Sequence, residues 1–165
     1  MRIARGCRRR QRSGAAAVEF AIVLPLLVFL LLGIWEVGRL VEAQQLLTNA
    51  AREGARAAST GARSLSEVEQ IVERYLSAGG LNTTGLTVRV HNLTLYPSRG
   101  LSDPSDDPLA ARQLDRIRVH VTLPFDNVRW VLVDKITKVT TLRATAFWLS
   151  MKDQPIVVDL ELPRG

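Results

Sequence analysis

The run from Ala15 to Trp35 constrains this chain more than any other feature. It holds 21 residues and a single charge, Glu19. At about 1.5 Å per residue, a helix of that length spans roughly 30 Å, the thickness of a bilayer core. Leu24 and the stretch Leu26 to Leu32 make its centre apolar all round, with no polar stripe to face water. The competing reading is a buried helix of a soluble protein, which the length disfavours. An ordinary cleaved signal peptide also fits poorly. The apolar stretch exceeds the usual core of about 7–15 residues, and Ile34-Trp35-Glu36-Val37-Gly38-Arg39 is not an A-x-A-like site.

Charge is segregated around this run. The chain has 165 residues, 22 Lys and Arg against 16 Asp and Glu, and a net charge of +6. Residues 1–14 hold Arg2, Arg5, Arg8, Arg9, Arg10 and Arg12 and no acid, and the rest of the chain is formally neutral. A nucleic-acid partner therefore loses its main support. Arginines ahead of an apolar span favour an amino end in the cytoplasm and a following domain on the far side of the membrane. Cys7, in this leader, is the only cysteine, so the remainder can form no internal disulfide and offers no thiolate. Nineteen arginines against three lysines hint at a GC-rich, bacterial genome.

Two residues inside the span need a physical account. Pro25 lacks a backbone donor and is expected to kink the helix or open it locally. Glu19 costs about 2.5–3.5 kcal/mol at mid-bilayer and less near an end. Either it sits among the cytoplasmic headgroups, or it pairs with a positive group on another chain.

Beyond the span, Ala43, Leu46, Leu47, Ala50, Ala51, Gly54, Ala57 and Ala58 recur at steps of three and four. This predicts one helix from about Ala15 to Ser59, whose second half lays a small-residue face on the following domain. A break near Gly38 is the alternative. Ser66-Glu67-Val68-Glu69 reads as a capping box and Gly79-Gly80 as a stop, giving a helix over about 66–78. Its apolar stripe is Val68, Ile71, Val72, Tyr75 and Leu76, with Tyr75 expected to pack.

Strands follow. Leu86, Val88 and Val90 alternate with Thr87, Arg89 and His91, and the slip at Asn92-Leu93 suggests a bulge. A cleaner strand alternates through Arg116 to Leu123. Val139 to Met151 is a third, and Ile156 to Leu160 a short fourth. Pro97 to Leu109 is a loop, and Val128 to Lys135 is ambiguous between helix and strand. The fold class expected is α+β: a long amino-terminal transmembrane helix that continues as an amphipathic helix and packs on a small antiparallel sheet.

The sequence advertises no catalytic constellation. Asp103, Asp106 and Asp107 lack the EF-hand spacing and read as a solvated acidic loop. His91 and His120 are not spaced as metal ligands, and exposed strand histidines are expected, although two strands could bring them near each other. There is no G-x-S-x-G elbow, Walker A or G-x-G-x-x-G sequence. No metal, cofactor or catalytic residue is expected. The matches of Asn82-Thr83-Thr84 and Asn92-Leu93-Thr94 to a glycosylation acceptor read as chance.

The junction is more specific. Arg8-Arg9-Arg10-Gln11-Arg12-Ser13-Gly14 precedes Ala15-Ala16-Ala17-Val18-Glu19-Phe20-Ala21. A basic leader, a glycine, and a glutamate at the fifth apolar position look like a prepilin peptidase site. With Leu24-Pro25, Gly33-Ile34-Trp35-Glu36-Val37-Gly38-Arg39 and Ala50-Ala51-Arg52-Glu53-Gly54-Ala55-Arg56-Ala57-Ala58, the chain resembles the TadE-like proteins. These are minor pilins or pseudopilins of the tight-adherence (Flp, type IVb) pilus system. The motif-level likeness covers about residues 8–60, and later residues share only the layout, which is also the general plan of pilins.

The resemblance implies cleavage after Gly14, with Ala15 as the new amino terminus. It implies that Glu19 pairs with the terminal amine of a neighbouring subunit, with Phe20 beside it where some processed members have tyrosine. It implies as partners a prepilin peptidase, other pilins or pseudopilins, tight-adherence assembly proteins and the bacterial inner membrane. The expected organisation is a basic leader over 1–14, a transmembrane helix over 15–35 and an extracytoplasmic α+β domain over 36–165. The expected function is a non-enzymatic part in pilus assembly. The alternative is an uncleaved single-pass membrane protein whose outer domain binds a ligand or partner. A small extracytoplasmic hydrolase is a third class, without a site to support it.

Overall fold

The structure is a computed structural model that describes residues 9–128 and 140–153, with the side chains of the first helix described from Gly14 onward. The chain divides into two compact units, Met1–Arg39 and Leu40–Gly165. One helix, α1 (Arg9–Ser59), runs through both. It starts earlier than Ala15 and is unbroken at Gly33, Gly38 and Gly54, so the predicted alternative of a break near Gly38 is not what forms. Helical hydrogen bonding continues past Pro25.

Within the second unit, α1 lays down the small-residue face that the periodicity predicts. Ala43, Leu47, Ala50, Ala51 and Ala58 are buried, and Ala55 joins them. Small side chains bring the backbone close to its neighbours. At Gly54 an added Cβ would lie 2.7 Å from Val72 Cγ2, 3.7 Å from Val68 Cγ1 and 3.5 Å from Val119 Cγ1. The glycine weakens the helix locally but is where α1 meets both a second helix and the sheet.

That second helix is α2 (Leu65–Ala78). Its cap is not the Ser66–Glu69 pair but the overlapping Ser64–Glu67 pair two residues earlier. Ser64 is extended, its Oγ accepts from the Glu67 N–H at 3.4 Å, and its own N–H donates to Glu67 Oε2 at 2.8 Å. That backbone bond first, then the Ser64 hydroxyl, holds the Glu67 carboxyl below the usual carboxylate range. The helix stops at the two glycines, as expected. Gly80 adopts φ +79°, and Leu81 N–H and Gly80 N–H return to the carbonyls of Leu76 and Ser77, a left-handed closure that glycine makes cheaply. Val68, Val72 and Leu76 are buried, whereas Tyr75 is exposed rather than packed.

The described strands are β1 (Thr87–Asn92), β2 (Arg116–Pro124) and β3 (Thr141–Leu149), in a sheet of order β1-β2-β3 with both pairs antiparallel. Val88, Val90, Ile117, Val119, Val121, Leu123, Ala144 and Ala146 face the helices and complete one apolar core with them. This is the α+β arrangement that the sequence predicts. β3 runs alongside α1. Gln44 Nε2 donates to the Arg143 carbonyl at 2.9 Å near the start of β3. Past its end, Met151 N–H donates to the Ser59 carbonyl at 2.8 Å.

The slip at Asn92-Leu93 is a turn rather than a bulge. Asn92 Oδ1 accepts from the N–H groups of Thr94 and Leu95, so the side chain ends the strand by nucleating a turn. Its Nδ2 donates to Asp115 Oδ2 at 2.7 Å inside the protein. Two short 3₁₀ turns, Pro108–Ala110 and Phe125–Asn127, flank β2. The predicted fourth strand at Ile156–Leu160 lies outside the described residues, as does the ambiguous stretch after Val128.

Candidate functional site

The junction residues all lie at the start of α1. Gly14, Ala15, Glu19 and Phe20 are exposed, and among the described residues nothing beyond the helix's own backbone lies within 4 Å of where a Gly14 Cβ would be. Ala15 and Glu19 are four residues apart on one helix, so they share a face at neighbouring turns. Pro25 lies about one and a half turns beyond Phe20.

The helix that carries these residues is built for an apolar solvent. From Val18 to Val37 its large apolar side chains are 42–73% exposed, on all sides. An apolar surface of this extent is stable only against lipid or other apolar helices. Among the described residues it is the one helix long and apolar enough to cross a membrane, which fits a membrane protein.

A second group of polar residues lies on the sheet face turned away from the helices, where alternation places Arg89, His91, Arg118 and His120. Both histidines are buried, at 0% and 7% exposure, against the expectation of exposed strand histidines. The reason is the β1–β2 connection, residues 93–115, which is tied back across this face. Arg89 Nη1 donates to the Asp103 carbonyl at 3.1 Å, and Arg118 Nη2 to the Arg99 carbonyl at 2.9 Å. Asp106 N–H donates to the Val90 carbonyl at 2.7 Å, and Asp106 Oδ2 accepts from Asn92 N–H at 2.8 Å. Asp106 Oδ1 pairs with Arg99.

The acidic loop is therefore not simply solvated. Asp106 closes the outer edge of β1, Asp103 accepts from Gly100 N–H, and Asp107 caps the first 3₁₀ turn. No group of three or more His, Cys, Asp or Glu side chains converges as a metal site among the described residues.

The two histidines differ in partnership. His120 has Thr145 Oγ1 at 2.9 Å from Nδ1 and Thr122 Oγ1 at 3.1 Å from Nε2. His91 has no hydrogen-bond partner on either ring nitrogen, and Arg118 Nε beside it has none. Burial pushes both imidazoles below the ordinary histidine range. The Arg118 guanidinium adds to this for His91, and Arg143 and then Arg118 add to it for His120. Sequence reasoning missed this cluster because its cover is made by side chain-to-backbone bonds between distant residues.

Comparison with curated proteins and with solved structures finds no match. A family model does match, over residues 14–56, described as TadE-like protein. That interval begins at Gly14, covers the membrane-length part of α1 and ends within its small-residue face, so the similarity to the TadE-like family lies in residues 14–56, about a quarter of the chain.

Proposed function

We propose that this protein is a minor pilin or pseudopilin that takes part in assembling a tight-adherence, Flp-type pilus. The observation that carries the reading is the TadE-like match beginning at Gly14, on a membrane-length helix with Glu19 at the fifth position after it. In this reading residues 1–14 are a cytoplasmic leader, 15–35 cross the bacterial inner membrane, and 36–165 lie outside it. A prepilin peptidase cuts between Gly14 and Ala15. The site lies within a helix, so cleavage requires local unwinding, which a glycine favours.

The chemistry of Glu19 supplies the assembly logic. A carboxylate in hydrocarbon is unfavourable until a cation meets it. Cleavage creates such a cation at Ala15, and pairing between chains lets each subunit satisfy its neighbour. Phe20 packs beside the pair, and Pro25 kinks the helix above it. The protein is then a structural subunit and a substrate of the peptidase. Its partners are other pilins, pseudopilins and tight-adherence assembly proteins.

Glu19→Gln tests this. The variant is expected to insert in the membrane in normal amount while pilus assembly fails, scored by electron microscopy of surface filaments. Normal filaments with Glu19→Gln would refute the pairing role. A second reading, an uncleaved membrane anchor for an outer binding domain, draws on α1 running helical from Arg9 through Gly14. An anchor of that kind tolerates Glu19→Gln.

A further inference from the structure

We propose that residues 93–115 are a strap that acid lifts off the outer face of the sheet, with His91 as the trigger. The connection is long for two adjacent antiparallel strands, which a few residues can join. It does not wander in solvent. Three arginines hold it, Arg89 and Arg118 from the sheet and Arg99 from the strap itself, each bonded to a strap carbonyl or carboxylate.

Beneath it His91 is fully buried with both ring nitrogens unpartnered. A neutral imidazole carries one donor and one acceptor, whereas the imidazolium carries two donors. The charged groups around it come from β1, β2 and the strap: Arg89 of β1, Arg118 and His120 of β2, and Arg99 and Asp106 of the strap. The one carboxylate among them is already engaged, Oδ2 by Asn92 N–H and Oδ1 by Arg99. In the closed state neither ring nitrogen has an acceptor, and burial opposes an imidazolium first, Arg118 next, with Asp106 offsetting part of that cost.

With the strap open, water solvates the ring and it titrates near its ordinary value of about 6.5. A group harder to protonate when closed stabilises closure above that value and loses the contribution as pH falls below it. By this linkage the open population rises between pH 7.5 and 5.5, with about tenfold as the limit in which the closed ring stays neutral throughout. His120 does not share the trigger's geometry, since both its nitrogens have hydroxyl partners that can accept from an imidazolium.

Hydrogen exchange on the full chain in detergent micelles tests the proposal, with rates corrected for the intrinsic effect of pH. The strap amides, Asp106 above all, are expected to exchange faster at pH 5.5 than at 7.5, by up to about tenfold, while β2–β3 ladder amides such as Val121 stay protected. His91→Leu and His91→Phe are both to be measured, so that one poorly folded variant does not decide the matter, and strap exchange in them is expected to be flat with pH. Flat exchange in the wild-type strap overturns the proposal. So does an equal rise in the variants, or a rise shared equally by the β2–β3 ladder.

Discussion

Gly54→Ala sets two effects of opposite sign against each other. In an isolated helix the change is favourable by about 1 kcal/mol, because alanine is the better helix former. Here the new methyl lies 2.7 Å from Val72 Cγ2 and meets Val119 and Val68 on its other sides. Val72 is β-branched and buried, so it has little room to turn aside. Overpacking of this kind costs about 1–3 kcal/mol, which exceeds the helical gain. The expected net effect is a loss of up to about 2 kcal/mol, at roughly 4 °C of melting temperature per kcal/mol for a domain of this size.

The sign should reverse once the obstacle is removed. In a Val72→Ala background, Gly54→Ala is expected to stabilise by about 1 kcal/mol, since only the propensity term is left. Thermal unfolding of the four full-length proteins in one detergent, followed by near-UV circular dichroism, gives the cycle. Stabilisation by Gly54→Ala in the otherwise unchanged protein would refute the close packing of α1 on α2.

Other expectations follow from the same packing. Ser64→Ala should cost about 1 kcal/mol by removing the α2 cap, and Ser66→Ala much less, as thermal unfolding would report. Asp115→Ala leaves the buried Asn92 amide without its acceptor and uncaps the Arg112 N–H, which lies 2.8 Å from the same carboxylate. A loss of about 1–3 kcal/mol is expected by the same assay. Gly38→Ala meets nothing within 4 Å among the described residues beyond its own helix backbone, so it should leave the melting temperature of the Leu40–Gly165 unit unchanged. An assembly defect in that variant would assign Gly38 to contacts between chains.

The parts of the fold legible in the sequence are those set by local period. The three- and four-residue recurrence from Ala43 to Ala58 gave α1 its buried face, and strict alternation gave β2 its register of in and out. Where two local patterns overlapped, the sequence did not decide. Both Ser64–Glu67 and Ser66–Glu69 satisfy the capping rule, and only the extended backbone at Ser64 selects the first. Asn92 breaks the alternation in either reading. Its side chain forms the turn locally through Thr94 and Leu95, while its amide is held by Asp115, 23 residues away. The burial of His91 and His120 was illegible for the same reason, since bonds such as Arg89 to the Asp103 carbonyl have no periodic signature. The junction at Gly14, Ala15 and Glu19 is legible from motif alone, because its exposed side chains carry no packing pattern.

The central claim is that the chain is a processed subunit of a pilus, and the intact mass of the protein tests it most directly. The protein is to be extracted from membranes of cells that also express its cognate prepilin peptidase. A mass corresponding to a chain that begins at Ala15 is the predicted result, and it would place a free amine one helical turn from Glu19. A mass corresponding to the chain from Met1 would contradict the claim, leave Glu19 without that cation and favour the uncleaved anchor.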